Sequence, residues 1–105
     1  MGERTDNVEN ADFGTTLEQL VAIIKSRRGT DVSLSYTALL LAQHEDKLCR
    51  KIIEEATEMV LAMKDEDHDH IRYEAADLIY HVLVSLERFG ITAEELAGEL
   101  KARMK

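Results

Sequence analysis

Apolar residues recur at helical spacing through most of this chain, and no proline interrupts them. The pattern is sharpest between about residues 46 and 64, where an apolar stripe and a charged stripe lie on opposite sides of one helix. A second long segment, about 71–89, is apolar around most of its circumference, which favours a central position. No segment alternates apolar and polar residues as a half-buried strand does. The sequence therefore predicts an all-α fold.

Short capping motifs mark where the other helices begin. Thr16, with Gln19 three residues later, has the spacing of a capping box and predicts the start of a first helix. Ser35 is placed to cap a short apolar helix that begins at the next residue. Thr92 with Glu95 repeats the capping-box spacing and predicts a last helix. With the two long segments, these starts predict a bundle of four to five helices.

Length and charge limit the size of the fold and its partners. The 105 residues suffice for one domain, which we place at residues 15–105 after a polar segment, 1–14, that is predicted to be mobile. The net charge of −8 argues against nucleic-acid backbones and anionic membranes as partners, because both attract cationic proteins. No apolar run approaches the roughly 18–20 residues that span a bilayer, and the N-terminal residues lack the apolar core of a signal peptide. We therefore expect a cytoplasmic protein.

The two long helices have broader apolar faces than they can cover between themselves in a chain this short. Pairing two copies would complete a four-helix core, so the sequence predicts a symmetric homodimer. Cys49 is the only cysteine, and it lies on the apolar stripe of the first long helix. We expect a buried thiol there rather than a nucleophile.

Two acidic clusters lie within the long helices. Glu54, Glu55 and Glu58 occupy the first, and Glu74 and Asp77 occupy the second. Positions i, i+1 and i+4, like positions i and i+3, fall on one side of a helix, so each cluster forms an acidic stripe. Two facing stripes would concentrate the oxygen ligands that a hard divalent cation requires.

Acidic helix faces are commonly only solvated, but two observations favour a metal site here. Glu54 and Glu58 are like charges at i,i+4, which destabilises a helix by roughly 0.2–0.5 kcal/mol unless a cation lies between them. Asp77 interrupts a run of mostly apolar residues, and a partly buried carboxylate is costly unless it is paired or binds a metal. His81 shares its stripe, and we interpret it as a partner of a carboxylate or a hydrogen-bonded core histidine, since magnesium prefers oxygen.

Several polar residues can be explained either by a structural role or by a function. Lys47 and Lys51 precede the first cluster and could either pair with its glutamates or bind phosphate oxygens. Arg27, near the end of the first helix, is explained by the helix dipole alone. The tract DEDHDH (65–70) resembles a metal-binding tract by composition, but polar loops between helices often do, and we interpret it as a loop.

Two stretches carry a resemblance to a known family. SYTALLLAQHEDKLCRKIIEEATEMVLAMK (35–64) and YEAADLIYHVLVSLERFGIT (73–92) resemble phosphoribosyl-ATP pyrophosphohydrolases, which belong to the all-α, MazG-like nucleotide pyrophosphohydrolases. The shared pattern of that superfamily is EExxE followed by ExxD, and both acidic clusters match it. The resemblance extends from about Leu17 to the C-terminus. The chain departs from the family at Leu39, at Gln43 and His44, and at Ile53, where a lysine, a Lys-Gly pair and a glycine are usual.

The resemblance implies magnesium-dependent hydrolysis of phosphoribosyl-ATP to phosphoribosyl-AMP and pyrophosphate, the second step of histidine biosynthesis. The magnesium ligands that it implies are Glu55, Glu58, Glu74 and Asp77. Glu54 and Glu55 would be catalytic groups, and Glu54 would be either a further ligand through water or a base. Lys47 and Lys51 would bind the phosphates, and the phosphoribosyl end would be contacted by Ser35, Tyr36, Thr37 and Arg27.

Three other interpretations remain at this point. A housecleaning hydrolase of noncanonical nucleoside triphosphates would share the carboxylates but not the SYT segment. A non-enzymatic helical interaction module would carry the acidic stripes as solvated faces. A di-iron carboxylate bundle is disfavoured, because the chain lacks the Glu-x-x-His motif of that class.

Overall fold

The computed structural model describes residues 8–105, which form five helices. The described residues contain no strand, which confirms the all-α prediction. Residues 1–7 of the segment predicted to be mobile lie outside this range, and none of the helices described is long and apolar enough to cross a bilayer. The helices are α1 (Phe13–Ser26), α2 (Tyr36–Ala42), α3 (Glu45–Lys64), α4 (His68–Arg88) and α5 (Ala93–Lys101).

Helix α1 begins earlier than the sequence predicted. Asp12 is its N-cap, and the Asp12 carboxylate accepts a hydrogen bond of 2.9 Å from the backbone N–H of Thr15. That bond lowers the pKa of Asp12. The predicted capping box at Thr16 is therefore wrong, because a charged cap four residues upstream satisfies the helix start and also complements the helix dipole.

The other two predicted caps are confirmed. The Ser35 hydroxyl accepts a hydrogen bond of 3.1 Å from the Ala38 N–H and starts α2. Thr92 and Glu95 form both hydrogen bonds of a capping box and start α5. Helix α3 has no side-chain cap, and the residue before it, His44, adopts a left-handed conformation with φ of 56°. The family commonly has glycine at this position, where such a φ is unstrained.

Helices α3 and α4 form an antiparallel hairpin that carries the site. The chain turns between them at residues 65–67, and Asp67 caps α4 by accepting a hydrogen bond from the His70 N–H at 3.2 Å. Helix α4 consequently starts at His68, and half of the tract interpreted as a loop is helical. Helices α1, α2 and α3 all pack against α4, as its central position in the prediction requires. The core cluster comprises Ile24, Leu40, Leu41, Leu48 and Val84.

Arg88, near the end of α4, holds the end of α2 in place. Its guanidinium donates hydrogen bonds to the backbone carbonyls of Leu40 at 2.7 Å and Gln43 at 3.0 Å. These carbonyls lie at the C-terminal end of α2, where no intrahelical donor remains for them. Arg28 makes a similar tie between α1 and α4 by donating to both the carboxylate and the backbone carbonyl of Glu87.

Helix α3 presents an apolar stripe to solvent. Ile53, Val60 and Met63 are each more than half exposed, and Cys49 is exposed on the same helix. The prediction of a buried thiol is therefore wrong for the single chain, because the apolar surface of α3 is wider than the part that α2 and α4 cover. Helix α5 has no buried side chain.

Candidate metal centre

Antiparallel packing of α3 and α4 brings the two acidic stripes together. Three residues forward along α3 correspond to three residues back along α4, so Glu55 lies opposite Asp77 and Glu58 lies opposite Glu74. Each pairing gains a histidine from α4. The Glu55 group consists of Glu55, Asp77 and His81, and the Glu58 group consists of Glu58, His70 and Glu74. Within each group, one candidate ligand atom from every residue lies within 4.8 Å of the others.

Glu55 is fully buried, yet its carboxylate has no satisfactory hydrogen bond. Its Oε1 lies 2.7 Å from His81 Nδ1, but the Nδ1 proton points to the backbone carbonyl of Asp77, 3.0 Å away. Neither Glu55 oxygen has a hydrogen-bond partner among residues 8–105. An unpartnered buried carboxylate is expensive, and coordination to a cation removes that cost. The group therefore fits a metal ion.

The electrostatics of the Glu55 group point the same way. Burial raises the pKa of Glu55 to about 7, the charge of Asp77 adds to the effect, and the charge of Lys51 opposes it. Without a cation, the Glu55 and Asp77 carboxyls cannot easily both be ionised, because their ligand atoms lie within 4.8 Å of each other. A divalent cation would reverse the balance by favouring both charged forms.

His81 is neutral and fixed at both nitrogens. Burial is the main cause that lowers its pKa, so the ring carries one proton, and the hydrogen bond to the Asp77 carbonyl places that proton on Nδ1. Its Nε2 must then accept from the Tyr36 hydroxyl, 2.9 Å away. The histidine predicted as a carboxylate partner is thus held by Asp77 on one side and Tyr36 on the other.

The Glu58 group is built around a second buried carboxylate. Glu74 is 1% exposed, and its Oε2 lies 3.2 Å from His70 Nε2, while Oε1 has no hydrogen-bond partner among the described residues. His70 is one of the last residues of the 65–70 tract, and interpreting that tract as a loop without a role in the site overlooked it. The available signal was its i,i+4 spacing from Glu74, which matters only once α4 is known to begin at His68.

Glu54 and the two lysines border the carboxylates without joining either group. Glu54 is half-buried and pairs with Arg50 of its own helix at 3.4 Å. Lys47 places its ammonium 5.3 Å from the centre of the Tyr36 ring, a cation–π contact. Burial raises the pKa of Tyr36 to about 12, and the charges of nearby acidic groups, Glu54 among them, act in the same direction. Glu54 therefore lies on the Tyr36 side of the site.

The hydroxyl residues predicted at the phosphoribosyl end already have structural partners. Ser35 caps α2, Tyr36 binds His81, and the Thr37 hydroxyl shares a hydrogen bond with the hydroxyl of Tyr80. Burial is the main cause that raises the pKa of Tyr80. These contacts bring the start of α2 beside the Glu55 group.

Arg27 lies farther from the carboxylates than the other predicted site residues do. It is the exposed C-cap residue of α1, and its guanidinium is 3.5 Å from the Ser26 hydroxyl. Its neighbour Arg28 bonds to Glu87, which lies ten residues after Asp77 and so about 15 Å further along α4. A long ligand would be needed to join Arg27 to the Glu55 group.

An all-helical fold with carboxylates in the order EExxE and ExxD on an antiparallel hairpin defines the class of MazG-like nucleotide pyrophosphohydrolases. The model of one family, phosphoribosyl-ATP pyrophosphohydrolase, matches residues 17–104. The chain belongs to this family.

Curated relatives agree with the family match. The chain is 47% identical over 88 residues to a phosphoribosyl-ATP pyrophosphatase of Methylibium petroleiphilum, which covers 84% of the chain and 73% of the relative. It is 44% identical over 89 residues to the phosphoribosyl-ATP pyrophosphatase of Nitrosomonas eutropha, with 85% and 76% covered. It is also 48% identical over 88 residues to the histidine biosynthesis bifunctional protein HisIE of Helicobacter hepaticus, of which it covers 38%.

Proposed function

We propose that this chain hydrolyses phosphoribosyl-ATP to phosphoribosyl-AMP and pyrophosphate, as a cytoplasmic, magnesium-dependent step of histidine biosynthesis. One observation carries the proposal beyond the family match. Two carboxylates, Glu55 and Glu74, are buried, and each has at least one oxygen without a hydrogen-bond partner among residues 8–105. Burial of that kind suits a cation-binding centre and not a solvated acidic face, which argues against the interaction module.

The carboxylates have the task of holding the cation. Glu55 and Asp77 on one side, and Glu58 and Glu74 on the other, supply oxygen ligands of the kind that magnesium prefers. When bound, magnesium neutralises charge on the phosphate oxygens and lowers the pKa of a coordinated water. Phosphoryl transfer needs this neutralisation and an aligned water more than it needs covalent help from the protein.

Glu54 is suited to orient the attacking water. It stands beside Glu55 in sequence but outside both ligand groups, and its partner Arg50 leaves it partly accessible. A carboxylate within reach of a water can accept its proton as it attacks phosphorus. Glu55, the most buried of the proposed ligands, would contribute to catalysis through the cation that it holds.

Positive charge for the phosphates comes from α3. Lys51 and Lys47 lie on the helix that carries Glu55, about one and two turns before it, and Lys51 is close enough to affect the pKa of that carboxyl. Their ammonium groups can meet phosphate oxygens as point charges. Ser35, Tyr36 and Thr37 at the start of α2, with Arg27 beyond them, would contact the phosphoribosyl end of the substrate.

His81 acts through Glu55 and Asp77 rather than on the substrate. Its ring is fixed by the Asp77 carbonyl and the Tyr36 hydroxyl, and its Nδ1 lies 2.7 Å from Glu55. A ring held in this way limits the rotamers open to Glu55, which keeps the carboxylate in place for its ligand.

We include a homodimer in the proposal. The exposed stripe on α3, namely Cys49, Ile53, Val60 and Met63, lies on the same helix as the carboxylates, and α5 has no buried side chain in the single chain. A second copy of the chain would cover such a stripe in the manner of a four-helix bundle.

The test is pyrophosphate release from phosphoribosyl-ATP and from ATP, each measured with magnesium and with a chelator. We expect release from phosphoribosyl-ATP only with magnesium, and a steep fall in Asp77→Asn and Glu58→Gln, which keep shape but lose negative charge. Glu94→Gln on α5 is the matched control and should retain wild-type turnover, while circular dichroism shows intact helices in all three variants. Equal turnover of ATP and phosphoribosyl-ATP would favour the housecleaning hydrolase instead.

A further inference from the structure

The two histidines beside the carboxylates differ in what their nitrogens can do. His81 has neither nitrogen available, because Nδ1 carries a proton bound to the Asp77 carbonyl and Nε2 accepts from Tyr36. The His70 ring contacts the Glu74 carboxylate, which Nε2 approaches at 3.2 Å. A neutral imidazole has one protonated nitrogen and one lone pair, so when the proton is on Nδ1 the lone pair of Nε2 faces Glu74, and a cation can bind between the ring and the carboxylate.

Glu74 provides an independent sign that a ligand belongs in the Glu58 group. Its side chain is almost completely buried, and Oε1 has no hydrogen-bond partner among residues 8–105. The hydrogen bond from His70 satisfies only the other oxygen. A simple His–Glu pair therefore leaves one buried oxygen unsatisfied, whereas a cation bound beside it would serve both the carboxylate and the ring.

We propose that His70 is a nitrogen ligand of a cation held by Glu58 and Glu74, and that it raises the affinity of this position for transition metals relative to magnesium, which the carboxylates still bind. The proposal rests on the proposed function only in taking the same carboxylates as ligands. Imidazole nitrogen suits borderline divalent metals, and affinity for such a site rises from Mn²⁺ to Co²⁺. Mg²⁺ takes oxygen ligands and gains little from the ring.

His70 lies beside the carboxylates but is not part of the EExxE and ExxD pattern. It lies one helical turn before Glu74, on the first turn of α4, and its side chain is partly exposed. The ring can therefore turn toward a cation without displacing anything from the core. The metal preference of the centre would thus be set by a residue outside the EExxE and ExxD pattern.

The test compares binding of Co²⁺ and Mg²⁺ to the full-length wild-type chain and three variants, by calorimetry. His70→Ala removes the nitrogen, and His70→Gln keeps a polar side chain that offers oxygen. His68→Ala is the matched control, because His68 belongs to the same turn but is largely exposed and pairs with Asp69 at 3.0 Å. The visible absorption of bound Co²⁺ reports nitrogen ligation separately from affinity.

We expect both His70 variants to lower the ratio of Co²⁺ to Mg²⁺ affinity by roughly tenfold or more, which is the scale of effect seen on loss of residues that support a metal. The Co²⁺ spectrum should change in both, and His68→Ala should match the wild type in ratio and spectrum. An unchanged ratio and spectrum in the His70 variants would overturn the proposal, as would equal changes in His68→Ala. The outcome is independent of turnover: a chain that failed to hydrolyse phosphoribosyl-ATP could still bind Co²⁺ through His70, and an active enzyme could lack this selectivity.

Discussion

At the scale of single residues, Glu55 is a buried carboxylate whose surroundings disfavour its charge. It is fully buried, opposite another carboxylate, and beside a neutral histidine whose proton points elsewhere. Each of these conditions disfavours its charge. The metal-free chain therefore retains a proton on Glu55 up to about neutral pH, and that retention affects its stability.

We predict that metal-free protein loses stability as pH rises, through Glu55. The pKa of this group is about 7 in the folded chain against an ordinary 4.5, so between these values the folded state keeps a proton that the unfolded state has released. Stability contributed by the protonated form is complete below pH 4.5 and is lost as pH rises through 7. Thermal melts in chelator should show Glu55→Gln gaining on the wild type across this window. Parallel curves for the two proteins would contradict the assignment.

A second prediction separates two of the four residues proposed for the phosphoribosyl end, Tyr36 and Arg27. Tyr36 also fixes His81, so Tyr36→Phe should slow turnover of both phosphoribosyl-ATP and any ATP, since a buried nitrogen loses its donor. Arg27→Ala should slow only phosphoribosyl-ATP, by about ten- to a hundredfold, which corresponds to one charge-assisted phosphate contact of roughly 1.5–3 kcal/mol. Steady-state rates on both substrates make the comparison. Equal losses on ATP and phosphoribosyl-ATP in Arg27→Ala would place Arg27 elsewhere in the mechanism.

At the scale of elements, α2 is the piece whose position depends most on a single side chain. It has seven residues, too few to be stable alone, and its C-terminal carbonyls are bound by Arg88 from α4. Its N-terminus carries Tyr36, which reaches His81, and Thr37, which reaches Tyr80, while Ser35 caps the helix. Arg88 binds the C-terminal end of α2 and therefore positions the hydroxyl groups at its N-terminal end.

We predict that Arg88→Ala destabilises the fold by about 1.5–3 kcal/mol, the usual value for a lost hydrogen bond to a charged group. Urea denaturation followed by circular dichroism would measure the change. Arg103→Ala is the control, because Arg103 forms an exposed pair with Glu99 of the kind that contributes little to stability. A loss in Arg88→Ala no larger than in Arg103→Ala would show that α2 is held mainly by its apolar contacts.

Elements were predictable from the sequence where one local pattern decided the outcome. The long helices and the acidic stripe on each of them follow from periodicity, because side chains three and four apart must share a face. The cap of α1 was predicted wrongly, since the Thr16–Gln19 spacing fits a capping box while Asp12, four residues upstream, supplies the charged cap that the helix uses. The role of His70 depended on where α4 begins. The exposure of Cys49 depended on how much of α3 its neighbours cover, which no local pattern contains.

At the scale of the whole molecule, the single chain is less compact than its length suggests. Its radius of gyration is 14.6 Å, compared with about 13 Å for a typical domain of this size. Few apolar side chains are fully buried, while the stripe on α3 is exposed and α5 has no fully buried side chain. A second copy of the chain packed on these surfaces would supply the missing core.

We predict a homodimer at micromolar concentration that Val60→Lys converts to a monomer, because a charge at the middle of the stripe cannot be buried unpaired. Light scattering gives the mass directly. Leu34→Lys is the control, since Leu34 is 79% exposed in the loop before α2, away from the stripe. A wild-type monomer at this concentration, or a dimer that survives Val60→Lys, would contradict the prediction.

Helix α3 carries the proposed ligands Glu55 and Glu58 on one side and the apolar residues Ile53 and Val60 on the other. The proposed cation binding and the predicted association of two chains would thus be two equilibria that act on the same helix. Thermodynamic linkage makes their coupling reciprocal. If association tightens cation binding by some factor, cation binding tightens the association of the two chains by the same factor. The amount of assembled enzyme in a cell would then depend on the supply of divalent metal as well as on the amount of protein.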